Sequence, residues 1–136
     1  FNLRGQARDL YSSLQKAKIT AIKENESVVI QFSPQAYTAN GGVGSYYIFV
    51  DNGDGGGVSG NDTRDGTEEV LADVTMPSGI SLYSSTFAGT PSFTSYNGRG
   101  LPGNSGNIEI RNTDRWYRIS VSTANIRMAE SDDGTF

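Results

Sequence analysis

One change of period constrains this sequence more than any other feature. Leu3, Ala7, Leu10, Leu14, Ala17 and Ala21 are spaced 4, 3, 4, 3 and 4 residues apart. That spacing puts them on one face of an α-helix, with Tyr11, Lys18 and Ile22 beside the stripe. The small Ala side chains at 7, 17 and 21 let such a helix lie close to a sheet. Asn25 suits a helix stop. The start carries no cap: no Ser, Thr or Asp precedes the stripe, and Gly5 falls inside it. The expectation is a helix entered partway along its length.

Beyond Asn25 the period is two. Strands are expected at Ser27–Phe32, Ser45–Asp51, Glu68–Val74, Ile80–Ser84, Ser92–Tyr96, Asn107–Arg111, Tyr117–Ser122 and Asn125–Met128, separated by Gly, Asn, Asp or Pro turns. Strands in succession without helical patterns between them argue for antiparallel sheets. The expected fold is therefore α+β: an N-terminal amphipathic helix, residues 1–25, packed against antiparallel sheets built from a β-rich head, residues 26–136. The longest loop, Asn52–Thr67, is rich in Gly and Asp and too polar to bury.

The 136 residues include no Cys and no His. A disulfide framework, a thiolate metal site, the usual general base and nearly every zinc site are thereby removed. Catalysis would rest on carboxylates, Lys, Tyr or Ser alone, and no enzyme is expected. No apolar run reaches the roughly 20 residues of a bilayer-spanning helix. The net charge is −4 but uneven: residues 51–73 carry seven acids and one Arg, whereas residues 99–127 carry five Arg and two acids. Such asymmetry suits oriented docking as well as plain solubility.

Several motifs fail on context. Gly55-Gly57-Gly60 and Gly98-Gly100-Gly103 match G-x-G-x-x-G. A dinucleotide site needs a helix directly afterwards, to present backbone N–H groups to the pyrophosphate. Neither match leads into one, so both read as Gly-rich turns. Ser13-Leu14-Gln15-Lys16 matches S-x-x-K, but the S-D-N and K-T-G partners are absent. "DNGDGGGVSGNDTRDG" has the oxygen donors that calcium prefers, without EF-hand spacing. Placing Gly55 at position 6 puts Val50 at position 1; placing Gly66 there puts Ala72 where Glu belongs. An irregular calcium site from Asp51, Asp54, Asp62 or Asp65 is the remaining possibility. No cofactor is otherwise expected. Tyr46, Tyr47, Tyr83, Tyr96, Trp116 and Tyr117 are candidates for lining a small ligand site, against the plainer reading of core and cross-strand packing. Tyr46 and Phe49 fall on opposite sides of their strand, as do Trp116 and Ile119, so some of these rings are expected to be partly exposed.

Three segments together are similar to the GspH/FimT family of minor pseudopilins and minor type IV pilins. They are "ARDLYSSLQKAKITAIKENESVVIQF", "YYIFVDNGDGGGVSGNDTRDGTEEVLADVTMPSGISL", and "FTSYNGRGLPGNSGNIEIRN" followed by "RWYRISVSTANIRM". The resemblance spans nearly the whole chain and lies in the order of the segments. It implies a pilin-like head on a long helix. The first half of that helix is apolar and sits in the bacterial inner membrane; residues 1–25 would be its second half, with the membrane half removed. Leu3, Ala7, Leu10, Leu14, Ala17 and Ala21 then serve helix packing and assembly, with Leu3 and Ala7 expected to be exposed where sheet packing gives way to filament packing.

The resemblance further implies processing by a prepilin peptidase, methylation of the mature chain, and a head in the periplasm. It implies a structural role near the tip of a type II secretion pseudopilus or type IV pilus. Partners would be other minor and major pilins or pseudopilins, and the inner membrane through the missing helix. A reversal of Asp51, Asp54 and Asp62 to Lys is expected to weaken such contacts and leave the fold intact. Some FimT-like relatives bind DNA through a Gly-Arg-x-Arg motif, which here aligns with Ala124, Asn125, Ile126 and Arg127. Only Arg127 matches, with Glu130, Asp132 and Asp133 close behind. Arg111, Arg115 and Arg118 complete the candidate DNA-binding set, but phosphate binding needs several unopposed bases, and nucleic acid is not the expected partner. The "RGLP" turn at Arg99–Pro102 reads as structural, with Gly98 and Gly100 suited to positive φ.

Overall fold

The computed structural model describes residues 3–37, 44–58, 60, 61, 63–89 and 92–136. Helix α1 runs from Leu3 to Glu24 and buries Leu3, Ala7, Leu10, Leu14, Ala17 and Ala21. Its end is a Schellman motif: the Glu26 N–H donates to the Ala21 carbonyl at 3.2 Å and the Asn25 N–H to Ile22 at 3.3 Å. Asn25 takes the left-handed position with φ of 52°, which Asn tolerates better than other non-glycine residues. The chain then turns directly into β1.

All eight expected strands form, with ends displaced by no more than three residues. They are β1 (Ser27–Pro34), β2 (Gly44–Asp51), β3 (Val70–Thr75), β4 (Ser81–Phe87), β5 (Phe93–Tyr96), β6 (Gly106–Arg111), β7 (Trp116–Val121) and β8 (Ile126–Ser131). They build two antiparallel four-stranded sheets, ordered β3-β2-β1-β5 and β4-β6-β7-β8. Bulges interrupt the β2/β3 register between Ile48 and Phe49 and the β4/β6 register between Leu82 and Ser84.

Helix α1 packs across both sheets, against β1 and β5 of the first and β6, β7 and β8 of the second. Its stripe meets Val28, Ile30, Tyr46, Ile48 and Val50 from one sheet and Ile108, Ile110, Ile119 and Val121 from the other in one core. Phe32 of β1 stacks on Phe87 of β4, with ring centroids 5.6 Å apart, and so ties the sheets together. Truncating a stripe residue such as the fully buried Leu14 to Ala removes packing worth about 2–5 kcal/mol.

Burial of the stripe corrects one expectation. Leu3 is 4% exposed and Ala7 not at all, so neither is left open for a filament neighbour. The second sheet is the reason: β7 and β8 continue under the N-terminal end of the helix. The expectation that some of the rings are partly exposed holds for Tyr47, Tyr83 and Trp116, which are half-buried, but not for Phe49. It and its β1 partner Val29 point away from the helix, yet both are fully buried.

Candidate functional site

Three regions were marked by sequence: the acidic loop after β2, the Arg-bearing second sheet, and the helix. In the loop the carboxylates bind the loop's own backbone. Glu68 is fully buried. Its Oε2 accepts the Gly53 N–H at 2.7 Å and its Oε1 accepts the Asp65 N–H at 2.9 Å. Asp65 in turn accepts the Val58 N–H at 3.1 and 3.2 Å and the Asn61 amide at 2.8 Å. Burial pushes the Asp65 carboxyl up, but the hydrogen bonds from Asn61 and Val58 outweigh it and hold the group below its ordinary value. The Thr67 N–H donates to the Asp54 carbonyl at 2.9 Å, closing the loop on itself. Gly55 and Gly66, both at positive φ, are required here: a Cβ on Gly55 would collide with Thr67, and one on Gly66 with the Asp54 carbonyl.

The calcium candidates are not brought together. Asp51 is fully buried at the end of β2, Asp54 is exposed and accepts from the Asn52 amide, and Asp65 is engaged as above; Asp62 lies outside the described residues. Among the described residues no group of three or more carboxylates converges as a metal site. The burial of Asp51 also overturns the expectation that reversing it with its neighbours spares the fold. Both G-x-G-x-x-G matches are turns. In the second, the Asn97 side chain accepts the N–H groups of Arg99 at 2.9 Å and Leu101 at 3.1 Å. Gly100 has φ of 78°, whereas Gly98 is needed for close approach, since a Cβ there would strike Asn25.

On the second sheet the arginines are largely engaged. Arg111 lies between the rings of Tyr37 and Trp116, 3.9 and 4.3 Å from their centroids, a cation–π sandwich. Tyr37 also hydrogen-bonds Thr113 at 2.9 Å, which fastens the chain just past β1 to the turn between β6 and β7. Arg118 pairs with Glu109 at 3.1 Å and faces the Phe136 ring. Glu109 accepts the Tyr83 hydroxyl at 2.7 Å on its other oxygen; burial, then Glu109 itself, push that phenol well above its usual range. Arg115 pairs with Glu130 and Asp132 at 3.4 and 3.1 Å. Of the four candidates only Arg127, exposed on β8, makes neither an ion pair nor a ring contact among the described residues. Three of the four DNA-binding candidates are therefore neutralised or stacked, and the set offers little to phosphates.

The aromatic candidates do not share a site. Tyr46, Tyr96 and Tyr117 are in the core. Tyr96 keeps a buried hydroxyl without a partner among the described residues, and burial pushes it up to about 12. Tyr47 packs on Phe49, and Trp116 on Arg111. A recess of about 120 Å³ lies between the start of α1 and β8, lined by Arg4, Tyr117, Met128, Ala129 and Glu130. Glu130 there accepts the Tyr117 hydroxyl at 3.0 Å.

What sequence reasoning missed lies on the outward side of α1. Ile19 is 61% and Ile22 48% exposed. The signal was available: Ile19 stands two residues from both Ala17 and Ala21, which on a helix is the opposite side from the stripe.

The fold, a buried helix stripe across two antiparallel sheets, is matched by the comparisons. A family model described as "Type II transport protein GspH" matches residues 6–125. The type IV minor pilin FimU of Pseudomonas aeruginosa has a similar crystal structure (TM-score 0.53, 14% identity, 93% of this chain and 87% of that one). So does the minor pseudopilin EpsH from the type 2 secretion system of Vibrio cholerae (TM-score 0.55, 12% identity, 99% of this chain and all of that one). No curated protein sequence matches.

Proposed function

The chain belongs to the GspH family of minor pseudopilins and pilins, and from that premise we propose that it is a structural subunit at or near the tip of a type II secretion pseudopilus or type IV pilus. It acts by protein–protein assembly, without a cofactor and without catalysis. The observation that carries this reading is the division of labour in the fold. Glu68 and Asp65 of the charged loop, and Arg111, Arg115 and Arg118 of the second sheet, are engaged with the chain's own backbone, carboxylates and rings. What stays outward is the face of α1 around Ile19 and Ile22, together with the exposed Asp54, Glu69 and Asp73, and these suit contacts with neighbouring subunits. The partners under this reading are other minor and major pilins or pseudopilins. The head lies in the periplasm, held to the inner membrane by an apolar helix ahead of α1. No helix of the described residues is itself long and apolar enough to cross a membrane.

The test is deletion of the gene in its native host. Loss of secretion or piliation, restored by the wild-type gene, is the expected result. Unchanged secretion and piliation would contradict the assembly role.

A further inference from the structure

The outward face of α1 carries a patch with the make-up of an interface: an apolar centre and a charged rim. Ile19 and Ile22 are the centre, 61% and 48% exposed. The Asn97–Leu101 turn extends it, because Gly100 sits against Ile22 and Lys18, and Leu101 is 42% exposed. Lys16, one helical turn before Ile19, and Lys23, one turn after it, are exposed and supply the rim with Lys18. Side chains three and four apart on a helix are neighbours, so these groups form one surface.

The same chain presents the complement. The acidic loop leaves Val58 59% exposed and the start of β3 leaves Val70 39% exposed, and Asp54, Glu69 and Asp73 of the same stretch are exposed. Sheet order sets where the two surfaces face. Ser27 pairs with Asp51 and Val28 with Tyr96, so the loop after β2 and the turn after β5 leave the same end of the sheet. The order β3-β2-β1-β5 puts them at opposite edges, roughly 10–15 Å apart at strand spacing. In one molecule they therefore lie at separate edges of the sheet.

We infer that the Ile19–Ile22–Leu101 patch, with its lysines, docks the acidic Val58–Val70 loop face of a second copy of this chain, side by side and head to tail. Such a contact is heterologous, and repeats into a row rather than closing as a two-fold dimer. It rests on the assembly reading, but it is tested apart from it, since a deletion phenotype can stand while this contact fails.

The experiment is sedimentation of the purified 136-residue chain at increasing concentration and low salt. Concentration-dependent association, weakened by salt as screened charges require, is the expected result. Lys16→Glu with Lys23→Glu reverses one surface; Asp54→Lys with Glu69→Lys reverses the other. Each double variant alone is expected to stay monomeric, and their equimolar mixture to associate again. Ile19→Asp, at an exposed position, is expected to abolish association without altering the circular dichroism spectrum, and carries the test if a double variant fails to fold. A monomeric wild type up to about 1 mM overturns the proposal, as does association that both reversals leave unchanged. Lysine-dependent binding to phosphatidylglycerol vesicles in a chain that does not self-associate also overturns it, in favour of a lipid surface.

Discussion

The acidic loop and the Arg-bearing sheet look like opposites in sequence, one a reservoir of negative charge and the other of positive. In the fold they do the same thing by different means. The loop's carboxylates accept backbone N–H groups, and the one at its centre, Glu68, is fully buried. The sheet's guanidiniums meet carboxylates and rings on half-exposed side chains: Arg115 and Glu130 are 52% and 56% exposed, Arg118 and Glu109 32% and 16%. A count of charges says nothing about which of them a surface presents. It also hides the difference in cost, since a buried acceptor of backbone donors has no substitute and a surface pair has water.

That difference orders the expected effects. Asp51→Lys at the fully buried root of the loop forces an ammonium into the core. A loss of about 3–5 kcal/mol is expected, read as a chain that is unfolded or insoluble in circular dichroism and expression assays. Asp54→Lys, at an exposed neighbour, should leave the melting curve near wild type. Next, Glu68→Ala orphans the Gly53 and Asp65 N–H groups. A loss of about 2–3 kcal/mol in urea unfolding is expected, with faster hydrogen exchange confined to the loop amides. If Glu68→Ala costs no more than a surface substitution, the loop is not held by its carboxylates.

How much of this was legible follows from range. The helix stripe and the eight strands are local patterns of period 3.6 and 2, and Asn25 as the stop is a local signal; all are present as expected. The partition into two sheets is not local, and it decides that Leu3 and Ala7 are covered. Glu68 is joined to Gly53 across 15 residues and Tyr37 to Thr113 across 76. Neither contact leaves a periodic trace, so Glu68 reads in sequence as one more loop acid. The arginines were found by type, but whether they face solvent depends on cross-strand register, which pairs Glu109 with Arg118 and Arg111 with Trp116.

Smaller effects sharpen the same contrast. The Asp65 carboxyl lies below its ordinary value of 3.8 because hydrogen bonds favour its ionised form over the opposing effect of burial. A carboxylate depressed in the fold stabilises it above the unfolded value, and that contribution is lost as pH falls through the folded value. Stability is therefore expected to hold from neutrality down to about pH 4 and to decline below it. Asp65→Asn should shallow that decline, measured as urea midpoints against pH; an identical slope would contradict the assignment. Smallest of all, Arg115→Ala removes an exposed pair and should change stability by less than about 1 kcal/mol, with high salt erasing the difference.

The central claim is that this is a pilin-type subunit that works by assembly. N-terminal sequencing and mass spectrometry of the native protein extracted from membranes test it most directly. The account predicts a mature chain with about 20 apolar residues ahead of Phe1 and a methylated first residue. A native chain that begins near Phe1, or behind an ordinary cleaved signal peptide, would contradict it.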